Sequence, residues 1–194
     1  MYMSDLCIQI QGVLAELTPR RLSGGFAREA AVLMLFFEQD LQPCFLLTLR
    51  TEEVSTHKGQ ISFPGGMRHG TEGLEETALR ETQEEIGIPP ERIRILGRFH
   101  DYLSITGHRV ASFVGLVEQP FATVLHAGEV AEVLRVPWPV FLDPTRLHVE
   151  KMLRRGRMMD VYFYHYRSHE IWGLTAHIIK DFFAVLAEKG LRLG

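Results

Sequence analysis

The stretch RETQEEIG, Arg80 to Gly87, carries three glutamates in five positions. Residues three and four apart are neighbours on an α-helix, so Glu81, Glu84 and Glu85 would crowd together. Like charges at that spacing cost about 0.2–0.5 kcal/mol per pair, and a helix built only for stability would alternate its signs. The acids therefore ask for a positive partner that the sequence does not itself contain. Carboxylates gathered on a rigid face suit hard divalent cations, Mg2+ or Mn2+, which take oxygen ligands and stay partly hydrated. Such an ion commonly spans one or two protein carboxylates and the phosphates of a substrate, which makes phosphate the leading ligand chemistry. A solvated acidic helix face is the competing reading. Just upstream, FPGG (63–66) forms a tight turn where Gly65 and Gly66 let the backbone come close to a ligand. A peptide carbonyl there could complete a metal site.

These residues need elements to hold them. The segment TEGLEETALRETQEEIG (71–87) reads as a helix in which Leu74, Ala78 and Thr82 share a face with Ile86. Gly87 stops it, and Pro89 and Pro90 prevent continuation. Upstream, AAVLMLFFEQD and PCFLLTLR are short apolar runs, expected as two buried strands joined by a hairpin-like turn at 40–43. RIRILGRFHD and RVASFVGLVE read as further strands around the loop YLSITGH. GEVAEVLRVPWPVFLDP reads as a short helix or loop followed by apolar structure, and MMDVYFYHY as a strand. The chain starts with a helix whose buried face is Leu6, Ile10, Val13, Leu14 and Leu17, followed by the polar connector TPRRLSGGFAREA. It finishes with a core-packed helix over TAHIIKDFFAVLAEKG. Strands and helices do not alternate regularly, so the expected fold class is α/β with a mixed sheet sandwiched between helices.

With 194 residues, 46% of them hydrophobic, one domain (1–194) is expected, residues 1–28 being its N-terminal helix and connector. A formal charge of -3 gives no reason to expect nucleic-acid binding. Cys7 and Cys44 lie in apolar settings and read as reduced thiols. The N-terminal stretch has no secretory pattern, no apolar run reaches the length of a membrane span, and GLRLG is not a peroxisomal tripeptide. A cytoplasmic location with no membrane partner is the expectation, and a homodimer is admitted as the assembly.

From Gly66 to Ile88, GMRHGTEGLEETALRETQEEIGI resembles the Nudix box: glycine, five residues, glutamate, seven residues, Arg-Glu, an apolar position, any residue, Glu-Glu, any residue, glycine and an apolar residue. Gly66, Glu72, Arg80, Glu81, Glu84, Glu85, Gly87 and Ile88 all match. Thr82, less apolar than usual, departs. The resemblance implies the Nudix fold and metal-assisted hydrolysis of a nucleoside diphosphate linked to another moiety. It makes Glu81 and Glu85 the principal Mg2+ or Mn2+ ligands, with Gly66 beside them and Glu84 as a third ligand or a base. Arg80 would hold neighbouring carboxylates in place, and Glu72 would be structural or a helper.

Upstream, LLTLRTEEVSTHKGQISFPGG (46–66) is similar to the extension of coenzyme A pyrophosphatases through Thr48, Arg50, His57, Gly59, Gln60, Phe63, Pro64 and the two glycines. DYLSITGHRV, EVAEVLRVP and IWGLTAHII extend the likeness from about 32 to 179. Val54 and Ser55 depart where an arginine is common, His69 where an acid is common, and His108 where an aromatic is common. The resemblance implies hydrolysis of the pyrophosphate of coenzyme A or a derivative, giving 3',5'-ADP and 4'-phosphopantetheine. The alternatives are another nucleoside diphosphate derivative (ADP-ribose, NADH, a dinucleotide polyphosphate) or a silent nucleotide-binding Nudix domain. Arg50, His57, Gln60 and Gly65 are the candidate substrate contacts. Arg50 suits a phosphate through two parallel hydrogen bonds, with a surface salt bridge as its ordinary alternative. Lys58 is a further loop cation. Glu129 and Glu132 are alternative sources of the base. His165 and His169 have an i, i+4 spacing but leave a strand, where that spacing does not build a zinc site.

Overall fold

The computed structural model describes residues 2–24, 26, 28–51, 59–154, 156–191 and 193. The central sheet is built on β1 (Glu29–Gln39), whose run of apolar residues is buried on both faces. Ala31, Leu33, Leu35 and Phe37 point to one side and Met34 and Phe36 to the other, the period-two alternation of a strand between two layers. β2 (Gln42–Arg50) pairs antiparallel with β1 through a two-residue turn, in which Asp40 and Leu41 both have positive φ. That geometry matches the twist of a tight hairpin and is shorter than the turn expected.

β3 (Ile61–Ser62) extends the sheet beyond β2, and β4 (Gly65–Met67) pairs antiparallel with the start of β1. β5 (Ile93–Leu103) and β6 (Arg109–Val117) form an antiparallel pair, with β6 parallel to β1. The sheet is therefore mixed, as expected.

Two helical layers cover it. α2 (Leu74–Ile86) packs Ala78 and Ile86 against Leu33, Leu35 and Leu46. On the opposite face lie α1 (Met3–Glu16), with Leu6, Cys7, Ile10, Val13 and Leu14 buried, and α4 (Gly173–Glu188). Phe182 and Phe183 of α4 meet Phe45 and Trp138 with ring centroids 5.3–6.1 Å apart. Cys7 and Cys44 are buried free thiols. Among the described residues no helix is long and apolar enough to cross a membrane.

Besides the short β3 and β4, the strands Val130–Pro137, Leu147–Arg154 and His169–Trp172 lie outside the sequence reading. Residues expected as a short helix or loop instead form β7 (Val130–Pro137), paired antiparallel with β2, before the short α3 (Pro139–Leu142). Val130, Leu134 and Val136 are buried, while Ala131, Glu132 and Arg135 stay exposed. β8 (Leu147–Arg154), β9 (Arg157–Tyr166) and β10 (His169–Trp172) make a second antiparallel sheet. The register of β9 with β10 places His165 opposite Glu170. His165 Nδ1 lies 3.4 Å from Glu170, whereas His169 Nε2 lies 3.8 Å from Glu132, so the two histidines do not share a ligand.

Candidate active site

The loop and first turn of α2 are organised around Glu72. Its carboxylate accepts from the His69 N–H (2.7 Å), the Thr77 hydroxyl (3.1 Å), and Arg80 through Nε (3.0 Å) and Nη2 (2.9 Å). These bonds, the Arg80 fork foremost, hold the carboxyl down at about 2. The helix itself begins at Gly73, whose N–H donates to Glu76 (2.7 Å), an acid also favoured by the helix dipole.

Arg80 uses its remaining capacity on the acids that follow. Nη1 donates to Glu81 (3.0 Å) and to Glu84 (2.8 Å), and Nη2 also reaches the Met67 carbonyl (3.0 Å). The guanidinium thus ties β4 to three carboxylates. Glu81 is largely buried against Gly66, where an added Cβ would overlap its carboxylate. Burial raises its pKa, Arg80 opposes the rise, and Glu84 and Glu129 add to it. Glu84 remains mostly exposed.

Glu85 is the most confined of the acids, 1% exposed. One oxygen accepts from Arg50 Nη1 at 3.3 Å and the other from the Gly65 N–H at 3.4 Å. Charge-assisted bonds usually run about 2.7–2.9 Å, so this carboxylate is loosely held for its depth. Burial pushes its pKa to about 8, with Glu81 and Glu129 raising it and Arg50 and the Gly65 N–H lowering it. Gly65 has φ 155°, and a Cβ there would strike the Ala31 carbonyl, which makes glycine necessary for this approach.

Two further segments meet α2. Arg50 stands at the end of β2, where the pairing with β7 shifts register, and its Nη2 lies 3.9 Å from Glu129. Its Nε is buried without an acceptor among the described residues. The loop before β7 is fastened to the helix end: the Val124 N–H donates to the Ile86 carbonyl (2.9 Å) and the His126 N–H to the Glu85 carbonyl (3.0 Å). Gly87 closes the helix with φ 73°, and Val124 packs where its Cβ would be. Glu129 reaches the site through this attachment, whereas Glu132 faces His169. The Gln60 carbonyl accepts from the Arg50 N–H (3.0 Å). His57 and Lys58 lie outside the described residues.

Five carboxylates, Glu72, Glu81, Glu84, Glu85 and Glu129, therefore share two guanidiniums, Arg80 and Arg50. Among the described residues no three acidic, histidine or cysteine side chains form a ready metal cage. A buried pair, Glu81 and Glu85, beside the consecutive glycines 65 and 66 instead suits a hard cation held by one or two carboxylates, with its other positions left for water and phosphate. The donor set fits Mg2+ or Mn2+. The contact of Arg50 with Glu85, across 35 positions of chain, is the part of the site that sequence did not show.

Comparison with known proteins gives these contacts a family. The model of the NUDIX domain matches residues 27–155. A protein named uncharacterized Nudix hydrolase NudL, from Photorhabdus laumondii, is 38% identical over 162 residues, covering 83% of this chain and 86% of its own. One of the same name from Enterobacter is 37% identical over 155 residues, 79% of this chain and 80% of that protein. In fold, the chain is similar to the crystal structure of a MutT/nudix family protein from Enterococcus faecalis, with a TM-score of 0.55 and 17% identity over 97% of this chain and 70% of that one. The chain belongs to the NUDIX domain family and is a Nudix hydrolase.

Proposed function

We propose that this chain hydrolyses the diphosphate of coenzyme A or one of its derivatives, releasing 3',5'-ADP and the 4'-phosphopantetheine portion. The observation that carries the hydrolytic reading is the surplus of acids over guanidiniums where α2 meets Gly65 and Gly66. The substrate class is supported by the likeness of residues 46–66 to the coenzyme A pyrophosphatase extension, which leads directly into that turn.

Glu81 and Glu85 would hold Mg2+ or Mn2+, with the backbone of Gly66 alongside. When bound, the ion neutralises diphosphate charge and lowers the pKa of a bound water. Arg80 keeps Glu81 and Glu84 oriented through one nitrogen and anchors them to Glu72 through the others. Arg50 stabilises Glu85 in the resting site and is near enough to exchange that contact for a phosphate oxygen. Glu129, 45% exposed beside Arg50, is the proton acceptor that this arrangement favours over Glu132. Glu84 keeps an exposed carboxylate on the Arg80 side and is the second candidate.

Chromatography of coenzyme A incubated with the protein and Mg2+ or Mn2+ tests the reading. The expected products are 3',5'-ADP and 4'-phosphopantetheine. Intact coenzyme A, with turnover of another nucleoside diphosphate derivative, would remove the substrate assignment.

A further inference from the structure

Beyond the carboxylates, the chain leaving β4 borders a cleft of about 790 Å³ whose lining includes Phe26, Arg28, Glu29, Met67, Arg68 and His69. Its volume is that of a small-ligand site. The acid in it is already spent: one Glu29 oxygen accepts from Arg68 Nη1 (2.6 Å) and the other from Arg109 Nη1 (2.7 Å). Arg109 also donates to the buried Asp101 (2.8 Å), whose second oxygen takes Arg98 (2.6 Å). Three guanidiniums thus meet two carboxylates, and in the lining itself Arg28 and Arg68 outnumber Glu29, leaving net positive charge at the cleft. Arg28 and His69 stand exposed at its edge, and Phe26 offers a half-buried aromatic face.

The cleft continues from the candidate active site. Gly65 donates to Glu85, Gly66 borders Glu81, and Met67 combines a cleft wall with the carbonyl that receives Arg80. Three residues of extended chain from Gly65 to Arg68 cover about 10 Å, a reach suited to one nucleotide lying along the strand.

From this geometry we infer that the cleft binds a ribose phosphate monoester, the 3'-phosphate of the adenosine half of coenzyme A, with the base against Phe26. The inference rests on the substrate reading above. Pantetheine, being uncharged, gives no use to the cations, whereas a phosphate monoester takes charge-assisted hydrogen bonds from arginine.

Calorimetry with adenosine 3',5'-bisphosphate and adenosine 5'-monophosphate tests the site without turnover. The wild type is expected to bind the bisphosphate at least about ten-fold more tightly, the scale of one charge-assisted contact. Arg28→Glu is expected to erase that preference, and His69→Ala to reduce it. Arg28 is exposed, so the charge reversal leaves the core alone. Equal affinity for both nucleotides, or a preference untouched by either substitution, overturns the inference. If coenzyme A is cleaved yet no preference exists, the cleft assignment fails alone. If coenzyme A is left intact while an Arg28-dependent preference persists, the cleft stands and the substrate reading fails.

Discussion

Replacing Glu85 with glutamine is expected to make the metal-free protein more stable. The carboxyl ionises near 4.5 when free and at about 8 in the fold, because burial and the charges of Glu81 and Glu129 outweigh Arg50 and the Gly65 N–H. As pH rises between those values the unfolded chain loses this proton first, so wild-type stability falls. Each pH unit is worth about 1.4 kcal/mol, which sets a ceiling of roughly 5 kcal/mol at the alkaline end. Glutamine keeps an acceptor oxygen for only one of Gly65 and Arg50, turns an NH2 toward the other, and removes the nearest anion from Arg50, lowering the expected gain to roughly 2–4 kcal/mol. For a chain of this length that amounts to about 5–15 °C in Tm. Melting in chelator from about pH 5 to about pH 8 should show the gap open with pH, starting below roughly 1 kcal/mol. Added Mn2+ should then raise the wild-type Tm and leave that of E85Q unchanged. A metal-free E85Q that melts with or below the wild type at the alkaline end would refute the reasoning.

Arg80→Lys is expected to destabilise the protein by roughly 2–4 kcal/mol in urea titrations, because one ammonium cannot reproduce the fork that binds Glu72, Glu81, Glu84 and Met67; an unchanged midpoint contradicts this. Gly66→Ala should weaken Mn2+ binding about ten-fold or more by electron paramagnetic resonance titration, since the new Cβ displaces the Glu81 carboxylate; wild-type affinity would remove Gly66 from the site. Glu129→Gln should lower kcat about 100-fold and Glu132→Gln by less than about two-fold, and the reverse order would transfer the proton acceptor to Glu132.

The parts of the fold legible beforehand are those whose pattern is local. β1 and β2 announce themselves as apolar runs because both faces are covered, and α2 by its periodic apolar face ending at Gly87. β7 escaped because Glu132 and Arg135 interrupt its apolar residues, and only pairing with β2 decides that Val130, Leu134 and Val136 turn inward. β8 carries His148, Glu150 and Lys151 on an outer strand, while β10 has four residues, so each depends on β9 for its conformation. The site divides in the same way. The spacing of Glu81, Glu84 and Glu85 and the preceding glycines is readable in sequence, and so is the fixing role of Arg80. The turning of Arg50 toward Glu85 depends on the end of β2 meeting α2, and the placing of Glu129 rather than Glu132 beside Arg50 depends on how a loop is fastened to a helix.

That fastening is made by main-chain groups, the N–H of Val124 and of His126 on the carbonyls of Ile86 and Glu85. Every amino acid except proline supplies the same donor. The side chains at 124 and 126 can therefore diverge while the loop keeps its mooring, and evolution is free to vary its surface without moving Glu129. Proline at either place would cast off one of the two lines.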